Sequence, residues 1–218
     1  MTRAGGAMQH ENDTDLFVGP DGVTRCGWPG INHADYRDYH DREWGKPVHG
    51  ETALLERLCL EGFQSGLSWL VILRKRPAFR SAFAGFDPEV VARFTEDDVE
   101  RLLQDEGIVR NRRKIEATIA NARATLELRE HGGLEELLWT HAPDPTPRPR
   151  SFADVPTQTP ESEILAKRLR KAGFEHVGPT TLYAAMQACG LVDDHLAGCF
   201  RAGSSRSGAR LTEMRRTS

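Results

Sequence analysis

Asp105-Glu106-Gly107-Ile108-Val109-Arg110-Asn111-Arg112-Arg113-Lys114 joins two helical patterns, and its reading decides the fold. Before it, Thr95-Glu96-Asp97-Asp98 supplies a cap residue with an acid three positions on. Val99, Leu102 and Leu103 then recur at helical spacing, and the helix is expected to stop near Gly107. After it, Ile115, Ile119, Ala122 and Leu126 share one face of a second, longer helix. Gly107 permits a tight turn, and Ile108 and Val109 can anchor the connection in a core.

The same grammar runs outward in both directions. Leu54, Leu55, Leu58 and Cys59 fall at helical spacing, and Leu67, Trp69, Leu70 and Leu73 continue it beyond Gly62 and Gly66. Asp87-Pro88-Glu89 places a cap, a first-turn proline and an acid in order. Pro143, Pro145, Pro147, Pro149, Pro156 and Pro160 mark a loop, after which Thr159-Pro160-Glu161 and Gly178-Pro179 open two more helices. Hardly any segment alternates with period two, so the fold class is all-α. Residues 1–24 read as a flexible N-terminal extension, 25–200 as the folded domain and 201–218 as a disordered tail rich in Arg, Ser and Gly. No apolar run nears the roughly 18 residues of a membrane helix, and the N-terminus lacks a signal-peptide core. A cytoplasmic monomer is expected. The net charge of −3 advertises no nucleic-acid binding, but a phosphate backbone responds to local patches.

Arg110, Arg112, Arg113 and Lys114 form such a patch at the start of the second helix. Each cation there opposes the helix dipole at a cost of roughly 0.3–1 kcal/mol, which a bound phosphate would reverse. The competing reading is a solvated face paired with Glu116 or the acids of the preceding helix. Arg74-Lys75-Arg76 could face the same backbone.

Four cysteines are too few for a disulfide scaffold in 218 residues. His195 and Cys199 would share one face if their segment were helical, and Cys26 and His40 could complete a closed two-Cys, two-His set suited to structural zinc. Alternatively Cys199 is a buried small hydrophobe and His195 a hydrogen-bonded helix-end residue. Cys59 and Cys189 lie on apolar helical faces and read as core. Trp28, Tyr36, Tyr39 and Trp44 crowd one short stretch, followed by Glu61 and Trp69. Rings around one carboxylate suit a flat cation, at roughly 0.5–2 kcal/mol for a cation over indole. An aromatic core with Glu61 on an exposed face would use the same residues.

Arg25-Cys26-Gly27-Trp28, Tyr39-His40-Asp41-Arg42-Glu43-Trp44-Gly45, Leu60 through Trp69, Gly107 through Arg112, and Gln187 through His195 together resemble the 3-methyladenine DNA glycosylase I family, from about Arg25 to Cys199. The resemblance implies a helix-hairpin-helix glycosylase domain over 25–200, with zinc on Cys26, His40, His195 and Cys199 joining its N- and C-terminal regions. It implies that Glu61 and Tyr39 contact the excised base, that Trp69 stacks on it, and that Trp28, Tyr36 and Trp44 complete the pocket. Gln64, Gly66 and Leu67 would lie against the DNA, with Gly107, Arg110, Arg112, Arg113 and Lys114 on the backbone. Departures are small: Asp193 stands where asparagine is common, and Phe63 and His176 replace residues that vary or usually differ. The implied activity is monofunctional release of 3-methyladenine from alkylated double-stranded DNA after base flipping. A non-catalytic reader of alkylated DNA is the alternative. A zinc hydrolase or base deaminase lacks support, because neither H-E-x-x-H nor P-C-x-x-C occurs.

Overall fold

One helix, α2 (Glu51–Gln64), buries residues on nearly every side, including Leu54, Leu55, Leu58, Leu60 and Phe63, and the fold is arranged around it. In the computed structural model, which describes residues 15–145 and 147–203, α2 packs against α3 (Trp69–Ala82), α6 (Arg112–Leu128), α7 (Gly133–Trp139) and α9 (Pro179–Ala188). A continuous aromatic seam of Phe63, Phe79, Phe83 and Phe86 fills the space below α3. Helix α1 (Ala34–Arg42) and α8 (Pro160–Lys171) flank this core, α8 through its contact with α9. Cys59 and Cys189 are buried within it, as their spacing predicts.

The predicted starts hold at atomic detail. Asp87 Oδ1 accepts from Glu89 N–H at 2.9 Å to open α4 (Pro88–Val91). The Thr95 N–H donates to Asp98 Oδ2 at 3.0 Å to open α5 (Glu96–Gln104). Thr159 Oγ1 accepts from Ser162 N–H at 3.3 Å to open α8. Between α5 and α6, Gly107 acts through closeness to a neighbour, not an unusual backbone angle: a Cβ there would lie 2.8 Å from the Cβ of Ala78 on α3.

Two differences from the sequence reading stand out. Residues 16–26, counted mostly to a flexible extension, form an antiparallel hairpin of β1 (Leu16–Val18) and β2 (Thr24–Cys26), turned at Gly22 with φ +73°. It is fastened to the domain: Phe152 N–H donates to Asp15 Oδ2 at 2.7 Å, and Phe200 N–H to Thr24 O at 2.9 Å. His195–Cys199 is not helical but closes in a turn, with Cys199 N–H donating to Leu196 O at 2.8 Å. The expected ends at 1–14 and 204–218 lie outside the described residues.

Candidate active site

Helix α1 carries Tyr36, Tyr39 and His40, α2 carries Glu61 and Gln64, and α3 begins on Trp69. Trp28 and Trp44 flank α1, and all of these except His40 line a cavity of about 320 Å³. Trp28 meets Trp44 edge-on at 4.7 Å and Tyr36 at 5.3 Å, Tyr36 stacks near Tyr39 at 6.3 Å, and Tyr39 lies 5.4 Å from Trp69. The opposite wall is Phe152, Val155, Ala184, Gln187 and Asp194. The crowd of aromatics is therefore an open-sided pocket and not solid core. The Trp69 indole N–H is buried with no acceptor among the described residues.

Glu61 is 5% exposed, so the exposed-face alternative does not hold. Burial raises its pKa to about 8, against a lowering by the Arg57 charge one turn away. Burial and the charge of Glu61 push Tyr36 up to about 12, and raise Tyr39 well above its ordinary range. Arg57 itself is held by Glu43, which also takes Arg76 at 2.6 and 2.7 Å. Against burial, these two guanidinium groups hold Glu43 down to about 2. Glu43 therefore answers much of the Arg57 charge, and burial leaves Glu61 with its pKa raised.

A carboxyl whose folded pKa lies above its ordinary value of 4.5 lends stability that is complete below 4.5 and is lost as pH rises through about 8. Glu61→Gln removes that loss. Its stability relative to the unsubstituted protein is expected to rise by about 4 kcal/mol between pH 5 and pH 9, as seen in denaturant unfolding. A constant difference across that range would show that Glu61 is not a buried acid.

Behind the pocket, Cys26, His40, His195 and Cys199 bring their ligand atoms within 4.8 Å of one another, all buried. This is a cluster that could bind a metal. Cys199 Sγ lies 3.5 Å from His40 Nε2 and 3.7 Å from His195 Nδ1, and Cys26 Sγ 3.8 Å from His195 Nδ1. The other His40 nitrogen pairs with Asp41 at 2.8 Å, and Asp41 in turn with Arg25. The cluster touches the pocket: the His40 ring meets Trp28 edge-on at 4.8 Å, and His195 meets Trp44 at 4.6 Å.

On the hairpin side the basic residues separate. Arg112 is absorbed by Glu96, Glu100 and Glu116, the acidic pairing expected of a solvated face. Arg110 stands 3.6 Å from Glu106, and both are exposed. Arg113 is exposed and makes no ion pair among the described residues. Lys114 donates to backbone carbonyls of α2 and its following turn. Of the second basic group, Arg74 pairs with Asp35, Arg76 with Glu43, and Lys75 reaches the α5–α6 turn. Gln64 lines the cavity, and Gly66, at φ +83°, and Leu67, 42% exposed, follow in the turn between it and Trp69, which also lines the cavity.

A family profile described as methyladenine glycosylase matches residues 28–202. The chain belongs to the methyladenine glycosylase family. It is 47% identical over 181 residues to the DNA-3-methyladenine glycosylase 1 of Escherichia coli (strain K12), spanning 81% of this chain and 96% of that one. A crystal structure of a 3-methyladenine DNA glycosylase I superposes with TM-score 0.79 at 46% identity, over 82% of this chain and 99% of the other. A second, a variant 3-methyladenine DNA glycosylase I in complex with 3-methyladenine, superposes at 0.74 with 35% identity, over 78% and 93%. The chain is thus an enzyme of the glycosylase class, mostly helical like these structures. Among the described residues no helix is long and apolar enough to cross a membrane.

Several side chains that shape this candidate pocket have no role assigned from the sequence. Asp194 Oδ2 accepts from Gln187 Nε2 and Tyr183 OH, both at 2.7 Å, and fixes one wall. Gln187 and Asp194 lie in the Gln187–His195 stretch that carries the family resemblance, and Gln187 falls one turn after Tyr183 on α9. The Arg57–Glu43–Arg76 triad left no signal of its pairing, since its members come from three separate segments.

Proposed function

We propose that this protein hydrolyses the N-glycosidic bond of 3-methyladenine in alkylated double-stranded DNA, as a monofunctional glycosylase in the cytoplasm. One observation carries the reading: a buried carboxyl, Glu61, with no side-chain hydrogen-bond partner among the described residues, lines a pocket walled by Trp28, Tyr36, Tyr39, Trp44 and Trp69. The other buried carboxylate of the lining, Asp194, is taken by Tyr183 and Gln187. Methylation at N3 places a positive charge on adenine. The damaged nucleotide flips out, at less cost than a normal one, and its base enters the pocket. Trp69 stacks on it, and the rings and the ionising Glu61 favour the cation over neutral adenine. Glu61 and Tyr39 read its hydrogen-bonding edge. The electron pair of the sugar–base bond leaves with the base, which departs neutral. Water adds to the cationic sugar carbon and loses a proton, giving free 3-methyladenine and an abasic site. Selection thus acts at capture, and the charged base is its own leaving group.

Fluorescence quenching of the pocket tryptophans by free 3-methyladenine tests the pocket assignment. Saturable quenching at concentrations where adenine has no effect supports it; equal quenching by both bases overturns it.

The helix-hairpin-helix unit α5–turn–α6 is proposed to seat the duplex, with Arg110 and Arg113 on phosphates and Gln64, Gly66 and Leu67 against the vacated position. Arg113→Ala is expected to reduce the slope of log affinity against log salt by about 0.9, the loss of one phosphate contact. An unchanged slope removes Arg113 from the interface.

The Cys26, His40, His195 and Cys199 cluster is proposed to hold zinc. Bonds of about 2.3 Å to sulfur and 2.0 Å to nitrogen in a tetrahedron give sulfur–nitrogen edges of about 3.5 Å, and three of the edges here are 3.5–3.8 Å. The Asp41 partner on His40 is the support such a ligand usually has. Four protein donors leave no open position, so the metal's role is structural, tying the β-hairpin and α1 to the C-terminal turn.

A further inference from the structure

Two lysines cross-strap the hairpin to the rim of the base pocket. Lys114 stands in the first turn of α6, where an ammonium opposes the helix dipole. Its side chain instead reaches the opposite pole of a neighbouring helix. Nζ donates to Phe63 O at 2.8 Å and Ser65 O at 2.7 Å, at the C-terminal end of α2, where free carbonyls carry partial negative charge. In the other direction, Lys75 of α3 donates to Glu106 O at 2.8 Å and Gly107 O at 3.2 Å, in the turn between α5 and α6. The contact of Gly107 with Ala78 leaves no slack between that turn and α3.

The rim lies between these straps. Gln64, which lines the cavity, sits between the two carbonyls that Lys114 holds. Leu67 follows, its N–H donating to Gln64 O at 2.6 Å. With two of its three N–H donors committed, Lys114 could serve a phosphate in place of these partners only by giving up two hydrogen bonds, of which that to Phe63 O is part-buried.

We infer that Lys114, together with Lys75, is a positioning residue that holds the rim turn 63–67 in register with the hairpin, and is not a phosphate ligand. Lys114 therefore leaves the set of backbone contacts to which the sequence reading assigned it. The inference rests on the proposed glycosylase reading, because register between hairpin and rim matters where one grips the duplex while the other borders the flipped base.

The test uses the full chain with Lys114→Met, Lys75→Met and Arg113→Ala, each checked for folding by circular dichroism. Salt dependence of duplex binding and the single-turnover rate of 3-methyladenine release at saturating enzyme are measured together. Both lysine variants are expected to keep the parental salt slope while release falls between about tenfold and a hundredfold, as for a misplaced reactive group. A slope reduced by about 0.9 in Lys114→Met would make it a phosphate ligand and overturn the inference. An unchanged release rate in both variants would overturn it as well. If Lys114→Met does not fold, Lys75→Met decides by the same two readouts. If the unsubstituted protein releases no base, the glycosylase reading fails by itself, and the salt slopes still decide whether Lys114 contacts phosphate.

Discussion

Glu61→Gln is expected to slow release of 3-methyladenine from methylated duplex by about a hundredfold while leaving duplex affinity within about twofold. The amide fills the same space and still offers an oxygen, but it cannot ionise. A hydrogen bond to a charged group contributes roughly 1.5–3 kcal/mol, and a low-dielectric pocket favours the upper end. On the proposed reading the duplex is gripped elsewhere, through phosphates at the hairpin, so its affinity has no reason to follow. Single-turnover release and a binding titration on the same DNA separate the two quantities. Parallel losses in both would mean that Glu61 supports the fold or the DNA surface and not the base.

Cys199→Ser is expected to have the largest effect on stability. On the proposed zinc reading one ligand of four is lost, the metal with it, and the β-hairpin and C-terminal turn are no longer joined. Metal affinity that exists only in the folded state is folding free energy, so a loss on the order of 3–5 kcal/mol is expected. Metal content by atomic absorption and thermal unfolding check it. The imidazole rings of His40 and His195 rest edge-on against Trp28 and Trp44. Material that remains folded is therefore expected to bind free 3-methyladenine a few-fold more weakly. A metal-free variant of unchanged stability would contradict the structural-zinc reading.

Helix starts were the most legible part of this chain, because a cap such as Thr95 or Thr159 and the group that it serves lie within a few residues. The β-hairpin at 16–26 was not, since strands of three residues give periodicity nothing to act on. The pocket was visible as crowded aromatics, yet the residues alone could not say whether rings enclose a cavity or fill it. The cavity that these rings and the buried Glu61 line together settled that. The metal cluster was legible as four residues but not as a mechanism of approach: His195 and Cys199 converge through a turn, where helical spacing was assumed. The basic run shows the limit most clearly. Arg112, Arg113 and Lys114 are consecutive in sequence, but one meets acids of α5 and α6, one meets solvent, and one crosses to α2. Side-chain reach is decided by which helix end lies opposite, and that is tertiary information.

The most direct test of the central claim is to incubate the protein with methylated duplex DNA and separate the released bases by chromatography. Selective, time-dependent release of free 3-methyladenine, leaving intact strands with abasic sites, is the predicted result. Tight binding of the same DNA with no free base released would contradict it, and would make the protein a reader of alkylated DNA.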